Sequence, residues 1–285
     1  MTNLIVPKDG PRVAPLGRHR VNAYVRAEYD KSIHTWGIPN NLIRTMSCLP
    51  ALGLTEVDYA NSFIFDEGEY IQWPDPENPE RMILFPRSGF VDRVTKELCI
   101  NLVSLMNRSR YSITHHTVIG WNTLTSTISE PQSEQMLLHL VDDDGTPAFA
   151  HRNDLFNSYQ LCALELSEKL QKSAHSITNT EFDKLRVLCT EQAKLQIDHS
   201  VILKSIPESK TDAYLKAYVD AMLVELTWCI VHFSGLLNNW FTVMKVMDET
   251  DPDRDGLNFV AIYNEIVPES IKIRNNKILG SEGWG

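Results

Sequence analysis

The sequence predicts an all-α fold, and three observations support that prediction. Apolar residues recur at helical spacing, most clearly at Val94, Leu98, Leu102 and Leu105. Signals for helix starts are present, such as the capping box Thr178-Asn-Thr-Glu181. No segment shows the sustained alternation of apolar and polar residues that marks a half-buried strand. The chain is therefore expected to form a helical body.

The first part of the chain is expected to hold an arm followed by three helices. Residues 1–22 contain several prolines and glycines and are expected to pack on the body or on a neighbouring subunit, the alternative being a mobile tail. A short helix is predicted over residues 21–33. A second helix begins at the cap Asn40-Asn41 and ends at Pro50, and Thr55 opens a third.

The stretch from Asp66 to Arg87 is polar and rich in proline. It is predicted to be a surface loop, and long loops without structure of their own are often lids or binding loops. Trp73, within this stretch, is a candidate to supply an apolar wall to a substrate site.

The second half of the chain is also predicted to be helical. An irregular stretch at 123–131 precedes a helix that runs to His139, and the acidic turn Asp142–Gly145 ends it. Three further helices are predicted, at about 152–172, 181–204 and 212–248. The predicted division is an N-terminal arm (1–22), a helical domain (23–250) and a C-terminal extension (251–285).

Composition and charge narrow the class of protein. The chain has 285 residues, of which 43% are hydrophobic and 22% charged, as in a soluble globular protein. A net charge of -10 argues against a nucleic-acid partner, because that binding depends on Lys and Arg. No apolar run reaches the roughly eighteen residues of a membrane span. The absence of a secretory signal and the five widely spaced cysteines predict a cytoplasmic protein with reduced thiols.

The segment from Thr95 to Trp121 carries the most informative polar pattern. It is predicted to form two helices joined by a tight turn at Asn107-Arg108. Each helix places three polar residues on one face, namely Glu97, Asn101 and Ser104 on the first and Ser109, Ser112 and His116 on the second. The turn is expected to bring a carboxylate, two hydroxyls and an imidazole together.

This pattern resembles the carboxymuconolactone decarboxylase and alkylhydroperoxidase D (AhpD-like) superfamily. Members carry a Glu, then a Cys-x-x-Cys pair, often with Tyr just before the second Cys, and then a His. The matching positions are Glu97, Ser109, Tyr111, Ser112 and His116, so both cysteines are replaced by serine. The resemblance implies an AhpD-like helical domain with extended N- and C-terminal arms. It also implies a homo-oligomer, a dimer, trimer or hexamer, in which the apolar helix at 213–247 is buried between subunits.

The missing cysteines decide which activity the resemblance implies. Peroxidase chemistry of the family's usual type requires a thiolate, and serine cannot replace it. The decarboxylase branch acts on a small carboxylated lactone and needs only a proton donor and acceptor. The implied function is a cofactor-free lyase, decarboxylase or isomerase of a small organic acid or lactone. Glu97 and His116 would transfer protons, and Ser109 and Ser112 would assist as hydrogen-bond donors.

Several residues near the motif are candidates for binding that substrate. Tyr111 would donate a hydrogen bond, and His115 lies beside the catalytic His116. Arg108 or Arg110 would bind the substrate carboxylate, the alternative being a salt bridge to a neighbouring subunit. A dry site would raise the pKa of Glu97. No metal ligand set is predicted, because adjacent helical histidines point about 100° apart.

Two alternatives to the lyase remain. The first alternative function is an inactive AhpD-like scaffold or a small-ligand-binding protein. The second, which is less favoured, is a peroxidase that depends on one of the cysteines. The turn Asp251–Gly256 opens like a calcium-binding loop, but Ile262 stands where a Glu is required, so a solvated acidic turn is expected. Four scattered histidines are expected at the surface or hydrogen bonded in the core, namely His139, His151, His199 and His232.

Overall fold

The structure is a computed structural model that describes residues 2–36, 40–64, 70–75, 78–86, 89–198, 211–250 and 258–283. It confirms the predicted all-α class. Helices in the first half are α1 (Ala23–Trp36), α2 (Asn41–Met46), α3 (Pro50–Asn61), α4 (Arg93–Met106), α5 (Arg110–Thr125) and α6 (Glu130–Leu138). Those in the second half are α7 (Ser158–Ser173), α8 (Asn179–Asp198), α9 (Thr211–Val231), α10 (Asn238–Met244), α11 (Phe259–Ile266) and α12 (Glu269–Leu279).

The stretch predicted to be a structureless loop contains an antiparallel hairpin, so that prediction is wrong. Its strands are β1 (Tyr70–Asp75) and β2 (Asn78–Pro86), with Trp73 paired to Ile83. The sequence carries no strand signal because β2 has a continuous apolar run at 82–85 and not an alternation, and because prolines lie within both strands. Proline is tolerated because, in the described two-stranded sheet, each strand has an unpaired edge. The side chain of Trp73 lies outside the described part of the structure.

Several helix boundaries differ from the prediction, two of them for identifiable reasons. Helix α3 begins at Pro50, where proline fits because the first helical position needs no N–H partner. The long helix predicted to end at Asp248 instead contains a π-helical segment, His232–Leu237, between α9 and α10. Such segments widen the helix locally and change which side chains face inward.

Helix α4 forms the centre of the core. Every residue from Thr95 to Leu105 is buried, and the helix packs against α5, α7 and α9. Lys96 at its start forms a buried ion pair with Glu225 of α9. The same carboxylate accepts the backbone N–H of Phe90 at 3.1 Å, so the chain leading into α4 is held to α9.

Both chain ends pack on the helical body. Leu4 in the N-terminal arm is buried, and the N–H of Arg12 bonds the carbonyl of Met244. Helix α11 packs against α5, and α12 packs against α6. The turn Asp251–Gly256, considered above as a calcium loop, lies outside the described residues.

The segment Thr211–Met244 is long and apolar enough to cross a membrane, by length and composition. Its most apolar window is 56% buried inside the protein, as expected for a core helix. Five of its large apolar residues are exposed, namely Val224, Trp228, Val231, Leu236 and Val243. Burial of this surface between subunits stays a prediction.

Candidate functional site

The predicted turn between the two central helices is present. Arg108 has a positive φ of 51°, which reverses the chain, and the N–H of Ser109 bonds the carbonyl of Ser104 at 3.0 Å. The Asn107 side chain is fixed by Gln171 and by the carbonyl of Ser234. Helices α4 and α5 therefore run side by side, with their polar faces in contact.

A cavity of about 300 Å³ lies beside α5. Most of its wall is apolar, formed by Leu42, Ala60, Ile64, Ile119, Phe233, Leu237, Phe241 and Phe259. The polar residues that line it are Asn40, Glu56, Arg93, Tyr111, Ser112, His115 and His116. A few polar groups within a mostly apolar cavity are typical of a small-molecule site.

Glu97 and His116 form a hydrogen-bonded pair at this cavity. The Nδ1 atom of His116 lies 3.0 Å from Oε2 of Glu97, whose side chain is fully buried behind the imidazole. The ring lines the cavity and packs edge-on against Phe233, with centroids 4.7 Å apart. The predicted carboxylate and imidazole are thus brought together.

The expected rise in the pKa of Glu97 is wrong. Burial does raise the pKa, but the attraction of Arg93 and His116 outweighs it, so the pKa of Glu97 lies below its ordinary value. An ionised carboxylate only accepts hydrogen bonds, so Nδ1 of His116 must carry the proton. In the neutral ring Nε2 is then the basic nitrogen, and no described residue hydrogen bonds it.

The two serines at the motif positions have different surroundings. Ser112 lines the cavity, whereas Ser109 is fully buried and does not line it. The hydroxyl of Ser104 donates to the carbonyl of Ile100 at 2.6 Å, so its 2.7 Å contact with Ser112 requires Ser112 to be the donor. Ser112 therefore offers the cavity an acceptor, not the donor that the sequence predicted.

Tyr111 and His115 belong to a second buried network. The Tyr111 hydroxyl donates to Glu249 at 3.0 Å, and Nε2 of His115 lies 2.8 Å from the same carboxylate. Burial lowers the pKa of His115, but Glu249 and Asp248 raise it by more, so the net pKa is raised. The His115 ring stacks between Tyr111 and Phe259, each at 4.0 Å.

The arginines predicted to bind a carboxylate are placed away from the cavity. Arg110 is buried and bonds Asp248 at 3.0 Å and the carbonyls of Ile5 and Gly283. It therefore ties both chain ends to α5. Arg108 is exposed and bonds the carbonyl of Asp144. Arg93 does line the cavity, but it is paired with Glu97.

Sequence reasoning missed several residues of this site. Glu56 is 4% exposed and lines the cavity, close to the buried His232. Neither nitrogen of His232 has a hydrogen-bond partner, contrary to the prediction for that residue. Glu249 lies between α10 and α11 and is fully buried. The one sequence signal for Glu249 is that it forms an acidic pair with Asp248 directly after an apolar helix.

Thiol and metal chemistry have little support at this cavity. None of the described lining residues is a cysteine. Burial raises the pKa of Cys99 and of Cys189 to about 12, which keeps both thiols protonated. Within the described residues, no group of three or more His, Cys, Asp or Glu side chains is arranged to hold a metal ion.

Comparisons with known proteins find similarity in structure only. No family model and no curated protein matches the sequence. A similar solved structure is described as the alkylhydroperoxidase AhpD core of an uncharacterized peroxidase-related protein from Ralstonia eutropha JMP134. The TM-score is 0.49 at 14% identity, covering 84% of this chain and 92% of that chain.

Proposed function

We propose that this protein is a cofactor-free acid–base catalyst, an isomerase or lyase that transfers a proton of a small, mostly apolar molecule. The observation that carries the proposal is the Glu97–His116 pair, with Nδ1 bonded to a buried carboxylate and the ring at a cavity of about 300 Å³. Such a carboxylate fixes the tautomer and stabilises the imidazolium that forms when the base takes a proton.

The proposed proton transfer uses His116, which lines the cavity, and Glu97 behind it. The Nε2 atom of His116 removes a proton from carbon, and Glu97 stabilises the resulting charge. Returning the proton to a different carbon completes an isomerisation, whereas loss of a leaving group completes an elimination. Glu97, whose pKa is lowered, orients the base and does not donate the proton.

The proposal departs from the carboxylated substrate expected from the sequence. Arg110 is held by Asp248, Arg93 is paired with Glu97, and Arg108 is exposed. No described cation at the cavity is therefore available to pair with a substrate carboxylate. A neutral or cationic substrate fits the charge of the site better.

Solvent deuterium exchange tests the proposal even when the natural substrate is unidentified. The protein is incubated in D2O with small aromatic and aliphatic carbonyl compounds and amines, and loss of C–H signals is followed by proton NMR. Wild-type protein should accelerate exchange in at least one compound, and His116→Gln should abolish it. Glu97→Gln should slow it by about 10²–10⁴-fold, because the tautomer is no longer fixed.

The matched control for the histidine is His151→Gln, since His151 is exposed and does not line the cavity. Its exchange rates should equal those of the wild type. Exchange that persists in His116→Gln would contradict the assigned base.

A second candidate function is binding without catalysis. The observation that favours it concerns two hydroxyls at the cavity. Ser112 donates its proton to Ser104, and Tyr111 donates its proton to Glu249. They are therefore not available to stabilise an enolate. In that case no compound would exchange, although ligands would still occupy the cavity.

A further inference from the structure

Glu56 has an unusual environment for a carboxylate. It is 4% exposed, and of the described residues that line the cavity it is the one with a carboxylate side chain. Its Oε1 atom is fully buried and has no hydrogen-bond partner. A buried carboxylate is unfavourable unless it is hydrogen bonded, and the ion-pair partner of Glu56 within the described residues is His232.

His232 is an incomplete partner for Glu56. Its Nε2 atom lies 3.2 Å from Oε1 of Glu56, but neither atom is in hydrogen-bond geometry. The other nitrogen, Nδ1, also has no partner, and the ring is surrounded by the aromatic rings of Tyr59 and Phe63 at 5.1 and 4.9 Å. An imidazolium here would leave a buried, charged N–H without an acceptor.

The other charges around the cavity pair with one another. Arg93 pairs with Glu97, and Arg110 pairs with Asp248. His115, with its raised pKa, is bonded to Glu249. Glu56 is thus the carboxylate in this region that has neither an arginine nor a hydrogen-bonded histidine. When the His232 ring is neutral, the charge of Glu56 has no counter-ion among the described residues.

The polar groups of Ser112 and His116 at the cavity are hydrogen-bond acceptors. Ser112 donates its proton to Ser104, so only its oxygen lone pairs face the cavity. In the neutral ring the Nε2 atom of His116 is likewise an acceptor, since Nδ1 carries the proton towards Glu97. A ligand that satisfies Glu56, Ser112 and His116 together must supply N–H or O–H donors.

We propose that the cavity binds a small organic amine, with its ammonium group at Glu56 and its apolar body against the aromatic wall. Phe233, Phe241 and Phe259 line the cavity and are suited to such a body. Aromatic faces also attract a cation electrostatically. This inference rests on the same cavity as the proposed function and specifies the class of molecule that enters it.

Three probes of matched shape test the inference, namely 2-phenylethylamine, 2-phenylethanol and 3-phenylpropionate. Their affinities for the full-length protein are measured by isothermal titration calorimetry near neutral pH. The amine should bind about ten-fold more tightly than the alcohol, as expected for a charge-assisted hydrogen bond, and the carboxylate should bind most weakly. Glu56→Gln should remove the preference for the amine, whereas Glu191→Gln, an exposed control, should retain it.

Equal binding of amine and alcohol, tightest binding of the carboxylate, or a preference that survives in Glu56→Gln would overturn the inference. If the variant does not fold, amide chemical shifts of the wild type decide the matter. The amine should shift the signals of Glu56 and Ala60 at about one-tenth of the concentration that the alcohol requires. An equal concentration dependence for the two probes, or unchanged signals with the amine, would also overturn the inference. Because this assay measures binding alone, its failure leaves His116-dependent exchange unaffected, and a failure of exchange leaves the binding result intact.

Discussion

Replacing Glu97 by Gln should destabilise the protein, because it leaves a cation without its counter-ion. Glu97 is fully buried and pairs with Arg93, whose side chain is 18% exposed. Removing one partner of a buried ion pair typically costs about 3–5 kcal/mol in free energy of unfolding. Because water reaches part of the Arg93 side chain, we expect the low end of that range, about 3 kcal/mol.

The effect should depend on pH in a definite direction. The pKa of Glu97 in the folded protein is below its ordinary value of 4.5, so the ionised form is favoured by folding. Its contribution is fully present above about pH 4.5 and is lost as the pH falls through the folded-state pKa. The difference in unfolding free energy between wild type and Glu97→Gln should therefore shrink under acid conditions.

Urea unfolding followed by far-UV circular dichroism measures this difference. Glu191→Gln, at an exposed position, should stay within about 0.5 kcal/mol of the wild type. Adding Arg93→Met to Glu97→Gln removes the unpaired cation and should restore at least about 1 kcal/mol. A loss below about 1 kcal/mol for Glu97→Gln at neutral pH, or a loss that grows in acid, would refute the reasoning.

Three further predictions follow from the buried charges and thiols. Glu225→Gln should lower the free energy of unfolding by about 3–5 kcal/mol in the same urea assay, because Lys96 is left unpaired; a neutral result would contradict the buried ion pair. Arg110→Met should speed tryptic cleavage of the N-terminal arm, since the Ile5 carbonyl loses its donor; an unchanged cleavage rate would oppose that role. Iodoacetamide at about pH 8 should modify the exposed Cys48 alone in the native protein, as intact mass would show, and rapid modification of Cys99, whose pKa is raised to about 12, would count against its burial.

The central helix pair was predictable because its signals are local. Leu98, Leu102 and Leu105 repeat at helical spacing, and the polar break at Asn107-Arg108 lies where the chain turns. The same spacing placed Glu97 and His116 on facing surfaces, which the structure confirms with a 3.0 Å hydrogen bond. Short-range periodicity therefore determined both the elements and this contact.

The rest of the site depends on contacts between residues that are distant in sequence. Glu56 and Phe259 reach the cavity from α3 and α11, and no pattern around either residue indicates this. The donors of Arg110 looked available for a substrate in the sequence, but Asp248 occupies them in the structure. The pKa of Glu97 could not be predicted for the same reason, since its direction depends on how closely Arg93 approaches.

The protonation of the His116 ring tests the central claim most directly. Long-range proton–nitrogen NMR correlations of the imidazole distinguish the two neutral tautomers. The Glu97–His116 pair predicts that the proton resides on Nδ1, leaving Nε2 unprotonated at the cavity, and that Glu97→Gln removes this preference. A proton on Nε2 in the wild type, or a tautomer unchanged by Glu97→Gln, would contradict the assignment of His116 as the base.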